Sequence, residues 1–344
     1  RDAQESRGLG DVYKRQDENL LLPAFRYGTS EFLKAIGASK VVIGVSGGID
    51  SAVNAALYRS ILPAENILLV NTPTRYNSEL TKGLAAELAK NLGCQLLTVP
   101  IGDFIDETAD ALEGLPLPDD TVHLTGFMKE NMQARDRSSR ILAALSAAFG
   151  GIFTCNANKT ETTVGYGTLY GDLAGAFAAT ADLWKYQIYD LGRKLNAWYG
   201  RAVIPEGIFT VMPSAELSEN QDVTQGKGDP LIYEYHDYLF RSFIEPWQRQ
   251  TPEDILKAYA KGNLEDLIGC SIIVSNIFPT AKDFIEDLEK WWNLFSGFAV
   301  AKRIQTPPLL AVSRRPYGYD LRESQLRPYY TDAYLSLKEK LLAD

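Results

Sequence analysis

The sequence predicts an α/β protein, built on a doubly wound parallel sheet with a helical C-terminal extension. Three observations lead there. Short apolar, β-branched runs alternate with helical patterns through the first half of the chain. One of them, Val41–Val45, passes directly into the Gly-rich hexamer Ser46-Gly47-Gly48-Ile49-Asp50-Ser51 and then into a helix. Beyond about residue 231 only helical patterns remain.

Residues 1–16 are charged and aperiodic. They are expected to be a disordered tail, a linker or an assembly scar, with the folded unit running from about 17 to 344. Runs at 41–45, 67–70, 96–99 and 152–154 read as buried strands. Helical patterns over 51–60, 78–92 and, at greater length, 127–149 separate them, so the crossovers are right-handed and the strands parallel. Ligands bind such sheets beyond the carboxyl ends of the strands. The hexamer at Ser46, the stretch Asn71-Thr72-Pro73-Thr74 and the stretch Cys155-Asn156-Ala157-Asn158 all follow strands, so they are expected to converge on one crevice.

The polar stretch 214–229, rich in Gly, Gln and Asp, reads as a long loop of the kind that closes over ligands. Pro252–Gly262 opens with a helix-starting Pro-Glu-Asp turn. Over 282–298, Phe284, Leu288, Trp291, Trp292 and Phe295 form an aromatic stripe that reads as core or interface. The Pro-, Arg- and Tyr-rich segment 306–330 is expected to wrap the surface.

Composition narrows the function. The chain has 344 residues, 45% hydrophobic and 23% charged, which suits a globular domain with ample core. A net charge of −9 argues against a nucleic-acid footprint. No apolar run reaches membrane-spanning length. Three well-separated cysteines, Cys94, Cys155 and Cys270, give neither a disulfide framework nor a zinc spacing, which fits a reducing cytoplasm.

The hexamer carries the chemistry. A strand that turns through glycines into a helix aims unpaired backbone amides and the positive end of the helix dipole at an anion. Ser46 and Ser51 offer hydroxyls to phosphate oxygens, and Asp50 offers a hard oxygen to a magnesium ion riding on them. The Lys-Ser/Thr pair of the common phosphate loop is missing, as is a G-x-G-x-x-G. Further on, Asn131 and Arg135 share a helix face, which suits ribose and phosphate recognition. Glu161, in Asn158-Lys159-Thr160-Glu161, offers a second carboxylate for magnesium. Asp172 ends the Gly-flanked turn Gly167-Thr168-Leu169-Tyr170-Gly171. Lys185 lies in the first turn of a helix, where a cation suits the dipole poorly, and this points to a nearby anion. The two histidines, His123 and His236, are assigned no role.

The strand followed by SGGIDS resembles the N-type ATP pyrophosphatases. Together with ENMQAR, NKTE, TLYGD and the Lys185 helix, in that order, it resembles the NAD synthetases over about Leu20 to Arg327. The resemblance implies an adenine nucleotide alpha hydrolase-like fold. It also implies a ligase that amidates nicotinic acid adenine dinucleotide with ammonia, using ATP and Mg2+. By the same resemblance, Ser46, Gly47, Gly48, Asp50 and Ser51 hold the ATP phosphates, Asp50 and Glu161 hold magnesium, and Lys185 and Ser214 face the α-phosphate. Asn131, Arg135, Asp172 and Lys302 contact the dinucleotide. Ser214 lies in Pro213-Ser214-Ala215-Glu216-Leu217, which matches the family's second phosphate loop. Where the family often has threonine, this chain has Cys155-Asn156-Ala157, so the matching ATP contact falls to Asn156.

The resemblance further implies a homo-oligomer, a dimer by analogy. Lys302-Arg303 and Ser313-Arg314-Arg315 resemble the C-terminal segment of glutamine-dependent members, whose nitrilase-like glutaminase domain precedes the synthetase. A domain cut from such a longer protein is the expectation here. Two rival readings stand beside it: another pyrophosphatase-type ligase, such as GMP synthetase or a tRNA-thiolating enzyme, and a nucleotide-binding module without chemistry. Thiolation calls for paired reactive cysteines and a basic face, and the retained Asp50, Glu161 and Lys185 speak against a silent module.

Glutamine hydrolysis needs an activated nucleophile with its base, and apolar surroundings raise the thiol pKa of Cys94 and Cys270. The chain by itself should therefore amidate with ammonium chloride and not with glutamine. Comparable rates with glutamine, abolished by substituting one of the three cysteines, would refute this.

Overall fold

Strand β1 (Val41–Gly44) lies inside a parallel sheet whose four strands run in the order β3-β2-β1-β4. β2 is Ile67–Asn71, β3 is Gln95–Thr98 and β4 is Ile152–Phe153. Val41 pairs with Ile67 on one side and with Ile152 on the other. The winding thus reverses at β1, and a crevice opens between the carboxyl ends of β1 and β4. The structure is a computed structural model that describes residues 20–218, 223–225, 228–317 and 328–343. The tail expected over 1–16 lies outside these residues, as do parts of the 214–229 loop and of the 306–330 segment.

Side chains alternate across the sheet, so each strand feeds two cores. Val41, Ile43, Ile67 and Leu69 pack with α2 (Ile49–Arg59), α3 (Glu79–Leu92) and α8 (Lys185–Tyr199), beside a helix over 20–35, α1. Val42, Leu68 and Val70 meet Leu142 on the opposite face. Each such fully buried aliphatic side chain contributes about 1.5–3 kcal/mol. Crossing between strands are also α4 (Gly102–Leu112), α5 (Gly126–Arg135) and α6 (Ala143–Phe149).

The single long helix expected over 127–149 differs in its middle. Between α5 and α6, Asp136–Leu142 winds as a π-helix. One wider turn shifts the angular phase of the residues beyond it, and such turns favour functional sites. Here the shifted stretch carries Arg137 and Ser138 to the crevice wall.

The second apolar core joins residues 155–184 to the C-terminal helices. It begins with α7 (Lys159–Val164) and takes in α10 (Tyr233–Ile244), α11 (Pro252–Lys261) and α12 (Leu264–Ile268). A short α9 (Glu206–Thr210) precedes them, and α13 (Val274–Ile277), α14 (Ala281–Ser296), α15 (Ala299–Gln305) and α16 (Asp332–Ala343) come after. Phe284, Leu288, Trp291 and Phe295, at helical spacing on α14, are buried, while Trp292 is half-buried. The stripe is therefore core, and Tyr259 stacks on Phe284 at 4.0 Å between centroids. One expectation fails: 306–317 does not merely wrap the surface, because Ser313 and Tyr317 are bonded into α7 and Tyr317 is buried. No helix among the described residues is long and apolar enough to cross a membrane.

Gly47 shows why the turn after β1 needs glycine. Its φ is +90°, and a Cβ there would run into the carbonyl of Thr81 on α3. Gly93, which ends α3 at φ +68°, has open space around it. Gly93→Ala should cost about 1 kcal/mol through φ alone, and Gly47→Ala more than about 2 kcal/mol. Urea unfolding of both variants is the measurement. Equal costs would remove the close approach of Thr81 as a constraint.

Candidate active site

A crevice of about 280 Å³ lies where the sheet reverses its winding, and all three stretches expected there contribute to its wall. Gly48 caps α2 without a side-chain bond, and the first turn of α2, which carries Asp50, lines the crevice. The serines of the turn are not held out for a ligand. The Ser46 Oγ accepts from Gly48 N–H at 3.2 Å, and the Ser51 hydroxyl donates to Gly48 O at 3.1 Å while its oxygen accepts from Ser46 N–H at 3.3 Å. They brace the turn from within.

Opposite the turn, Lys185 begins α8 with only 3% exposure. Its ammonium donates to Asp50 Oδ2 at 2.6 Å and to Glu161 Oε1 at 3.2 Å, and lies 4.6 Å above the Tyr233 ring. The anion that the misplaced cation pointed to is thus the protein's own pair of carboxylates. Burial works against the Lys185 charge, but Asp50 and Glu161 outweigh it and hold the amine above its ordinary range. Burial also drives the Glu161 carboxyl up toward neutrality; Lys185 opposes this, while Asp50 and Asp229 add to it. Asn158 fixes both acids: its side chain caps α7 by accepting from Glu161 N–H at 3.0 Å and donates to Asp50 Oδ1 at 2.8 Å.

Asp229 is a third carboxylate, one that the sequence alone does not single out. It accepts from Tyr166 at 3.0 Å and from Tyr233 at 2.9 Å, and Tyr233 also reaches Glu161 at 3.2 Å. Tyr233 has one hydroxyl proton, which the two carboxylates share. Asp229 further accepts from Ala215 N–H at 3.2 Å and so joins the two ends of the 214–229 loop.

The Pro213–Leu217 stretch is anchored by Glu216, another residue missed from sequence. Its backbone is left-handed at φ +45°, a strained state for a non-glycine residue. Its buried carboxylate accepts from Thr81 at 2.7 Å, Ser78 N–H at 3.2 Å and Asn77 at 3.3 Å. Thr81 therefore backs Gly47 with its carbonyl and holds Glu216 with its hydroxyl, linking the two loops. Ser214 lines the crevice and accepts from Glu216 N–H at 3.2 Å.

Asn156 also lines the crevice, but its amide donates to Gly44 O at 2.9 Å and accepts from Thr154 at 3.1 Å, which ties β1 to β4. Asn131, Arg135, Asp172 and Lys302 form a second group around the 165–172 turn. Thr168 donates to Asn131 Oδ1 at 2.8 Å and to Asp172 Oδ1 at 2.7 Å through its hydroxyl and backbone amide respectively. Arg135 Nε donates to Leu169 O at 3.1 Å, and Lys302 Nζ donates to Gly165 O at 2.7 Å. Only Asp172 of this group lines the crevice wall. The guanidinium that does so is Arg137, whose pKa is lowered to about 10 by burial, against the pull of Asp172 and Glu216. Two residues beyond Arg135, it points away from the Arg135 face and toward the crevice. All three thiols are buried, and burial pushes Cys94 up to about 11 and Cys155 up to about 12, so neither is a nucleophile.

A family model described as NAD synthase matches residues 26–268. The glutamine-dependent NAD(+) synthetase of Thermotoga maritima is 38% identical over 241 residues, 69% of this chain and 40% of that protein. One from Xylella fastidiosa is 34% identical over 299 residues, 86% of this chain and 48% of that protein. The chain thus spans less than half the length of these curated relatives. Among solved structures, a glutamine-dependent NAD(+) synthetase from Cytophaga hutchinsonii aligns with a TM-score of 0.69 at 17% identity, over 94% of this chain and 56% of that one. The NMN synthetase of Francisella tularensis aligns with a TM-score of 0.56 at 24% identity, over 73% of this chain and 93% of that one. These two share the fold. With the family match running through the Gly-rich turn, α7 and α8, the chain belongs to the NAD synthase family.

Proposed function

We propose that the chain amidates nicotinic acid adenine dinucleotide to NAD, with ATP cleaved to AMP and pyrophosphate. The observation that carries this reading is the Lys185 ammonium bonded at once to Asp50 and Glu161, facing the Gly-rich turn in a chain of this family. The proposed substrates are ATP, the dinucleotide and ammonia, and the proposed setting is a cytoplasmic homo-oligomer. If glutamine is the natural nitrogen source, a glutaminase unit outside these 344 residues supplies the ammonia.

A carboxylate resists amidation because oxide is a hopeless leaving group, so the nicotinate is first adenylated. Asp50 and Glu161 suit magnesium: both are hard oxygen donors within reach of one cation, now the ammonium. Among the described residues no group of three or more His, Cys, Asp or Glu forms a closed metal cage. When bound, the ion would neutralise the charge building on departing pyrophosphate. Asp50 and Glu161 would hold such a cation, and the Lys185 ammonium between them is proposed to face the α-phosphate. Ser46, Gly47, Gly48 and Ser51 present the turn to the outer phosphates, with Ser214 and Asn156 across from it. Asn131, Arg135, Asp172 and Lys302 are proposed to seat the dinucleotide, Asp172 close to the carboxyl carbon. Ammonia then attacks the acyl-adenylate and AMP leaves.

The test is pyrophosphate release that depends on the dinucleotide; release dependent instead on xanthosine monophosphate or tRNA would favour the rival ligases. Asp50→Asn should fold normally and lose roughly a hundredfold or more in rate. Near-normal release from the folded variant would end the assigned role of Asp50.

The raised Glu161 carboxyl has a signed consequence. A metal ligand must be deprotonated, and a carboxyl raised toward neutrality is increasingly protonated below about pH 7. The magnesium concentration for half-maximal rate should therefore climb as pH falls from about 8 to about 6, and this dependence should flatten in Glu161→Asp if the shorter acid escapes the buried position. A requirement independent of pH in the unmodified chain would contradict the burial of a ligating carboxylate.

A further inference from the structure

Two residues, one from each side of the crevice's ionic centre, carry charges that never reach it. Lys159 stands two positions before Glu161 on α7, and Asp182 stands three positions before Lys185 at the head of α8. Both side chains are fully buried, and they meet at 2.9 Å. Glu245 at 3.0 Å, Ser313 Oγ at 2.6 Å and Arg315 O at 3.0 Å also lie within hydrogen-bond reach of the Lys159 ammonium, so with Asp182 four acceptors share its three N–H donors. Asp182 accepts from the Val312 and Ser313 amides at 2.7 and 2.6 Å and from the Ser313 hydroxyl at 2.7 Å. The backbones are tied as well, Lys159 N–H donating to Leu183 O at 2.7 Å.

The strap that closes this pair comes from beyond residue 268, where the family match ends. It grips α7 along its length. Arg303 donates to Thr163 O at 2.5 Å, and the Thr163 and Tyr317 hydroxyls lie 2.6 Å apart. Ala178 N–H donates to Pro308 O at 2.9 Å. A buried ion pair is a poor source of stability, because desolvation offsets attraction, but it is unforgiving of geometry. With every acceptor of Asp182 and the whole ammonium of Lys159 engaged, α7 and α8 have one relative placement that satisfies both charges. That placement is the one in which Glu161 and Lys185 meet.

We infer that Lys159 and Asp182 are positioning residues: sealed by the 312–315 strap, the pair sets the spacing of Glu161 and Lys185 and thereby the cation site between Asp50 and Glu161. The inference rests on the proposed reading of that site. It assigns to the C-terminal strap a part in the chemistry that none of its own side chains performs.

The test uses the full chain and three variants. Ser313→Ala removes a single hydroxyl that touches both charges. Asp182→Asn removes the negative charge and leaves Lys159 its Glu245 partner. Lys159→Met with Asp182→Leu removes both charges together, the change that most often leaves a buried pair's stability intact. Thermal melts report folding, amidation reports kcat and the KM for the dinucleotide, and titration calorimetry of magnesium with ATP on each protein reports the cation site without turnover. Expected is a magnesium requirement raised at least about threefold in Ser313→Ala and at least about tenfold in the double variant, with kcat reduced and the dinucleotide KM unchanged. The double variant should show this even when it melts at the temperature of the unsubstituted chain, since a merely structural pair would leave a stable protein fully active. Wild-type kcat and magnesium dependence in folded Ser313→Ala and in the folded double variant would overturn the inference; should the double variant not fold, Ser313→Ala and Asp182→Asn decide it. An unsubstituted chain with no dinucleotide-dependent turnover would instead sink the functional reading beneath it.

Discussion

The ammonium of Lys185, buried between the carboxylates of Asp50 and Glu161, is the contact on which the arrangement around the crevice depends. Each partner comes from a different element: Asp50 from the first turn of α2, Glu161 from α7, and Lys185 from the first residue of α8. None could hold its charge in that place alone, because an unpaired charge at such depth would neutralise by shifting its pKa. The surrounding bonds all serve the same balance. Asn158 holds Asp50, Tyr233 holds Glu161, and Asp237 caps α8 by accepting from Tyr186 N–H at 2.9 Å. Asp237 thereby occupies the positive end of α8.

The crevice also explains why two loops distant in sequence act on one volume. Thr81 is the common support. Its carbonyl denies Gly47 a side chain, and its hydroxyl holds the carboxylate of Glu216. The strain of a left-handed Glu216 persists because three donors over-determine it. A rigid α3 N-terminus, capped by Ser78, therefore sets the position of the turn after β1 and of the Pro213–Leu217 stretch together.

The features legible in the sequence are those local in the chain. The SGGIDS turn declares itself because glycines between a strand and a helix have few other uses. The four strands show in their β-branched runs, and the α14 stripe in its period. Glu161 and Lys185 stand out as a second carboxylate and as a cation in the wrong place. The residues that escape are set by tertiary position. Lys159 looks like a solvent-seeking lysine in a polar helix and is fully buried. Asp229 and Tyr233 acquire meaning only from the loop neck that joins them to Glu161. Arg137 sits in a π-turn, which has no reliable mark in a single sequence. The segment 306–330 reads as surface wrapping, since Pro, Arg and Tyr give no sign of the buried pair that Val312, Ser313 and Arg315 enclose.

The winding order of the sheet has a consequence for how the protein comes to be functional at all. β1, β2 and β3 pair over short spans of chain, but β4 must find β1 across a far longer one, Val41 against Ile152. Long-range pairing of parallel strands is the slow step in assembling such a sheet. The crevice lies on that seam, and its far wall comes from chain still further on. A polypeptide can therefore bury much of its first core and yet possess no site. The closing of one seam thus completes the crevice, and a partly folded chain would carry the Gly-rich turn with Asp50 but without Glu161 and Lys185.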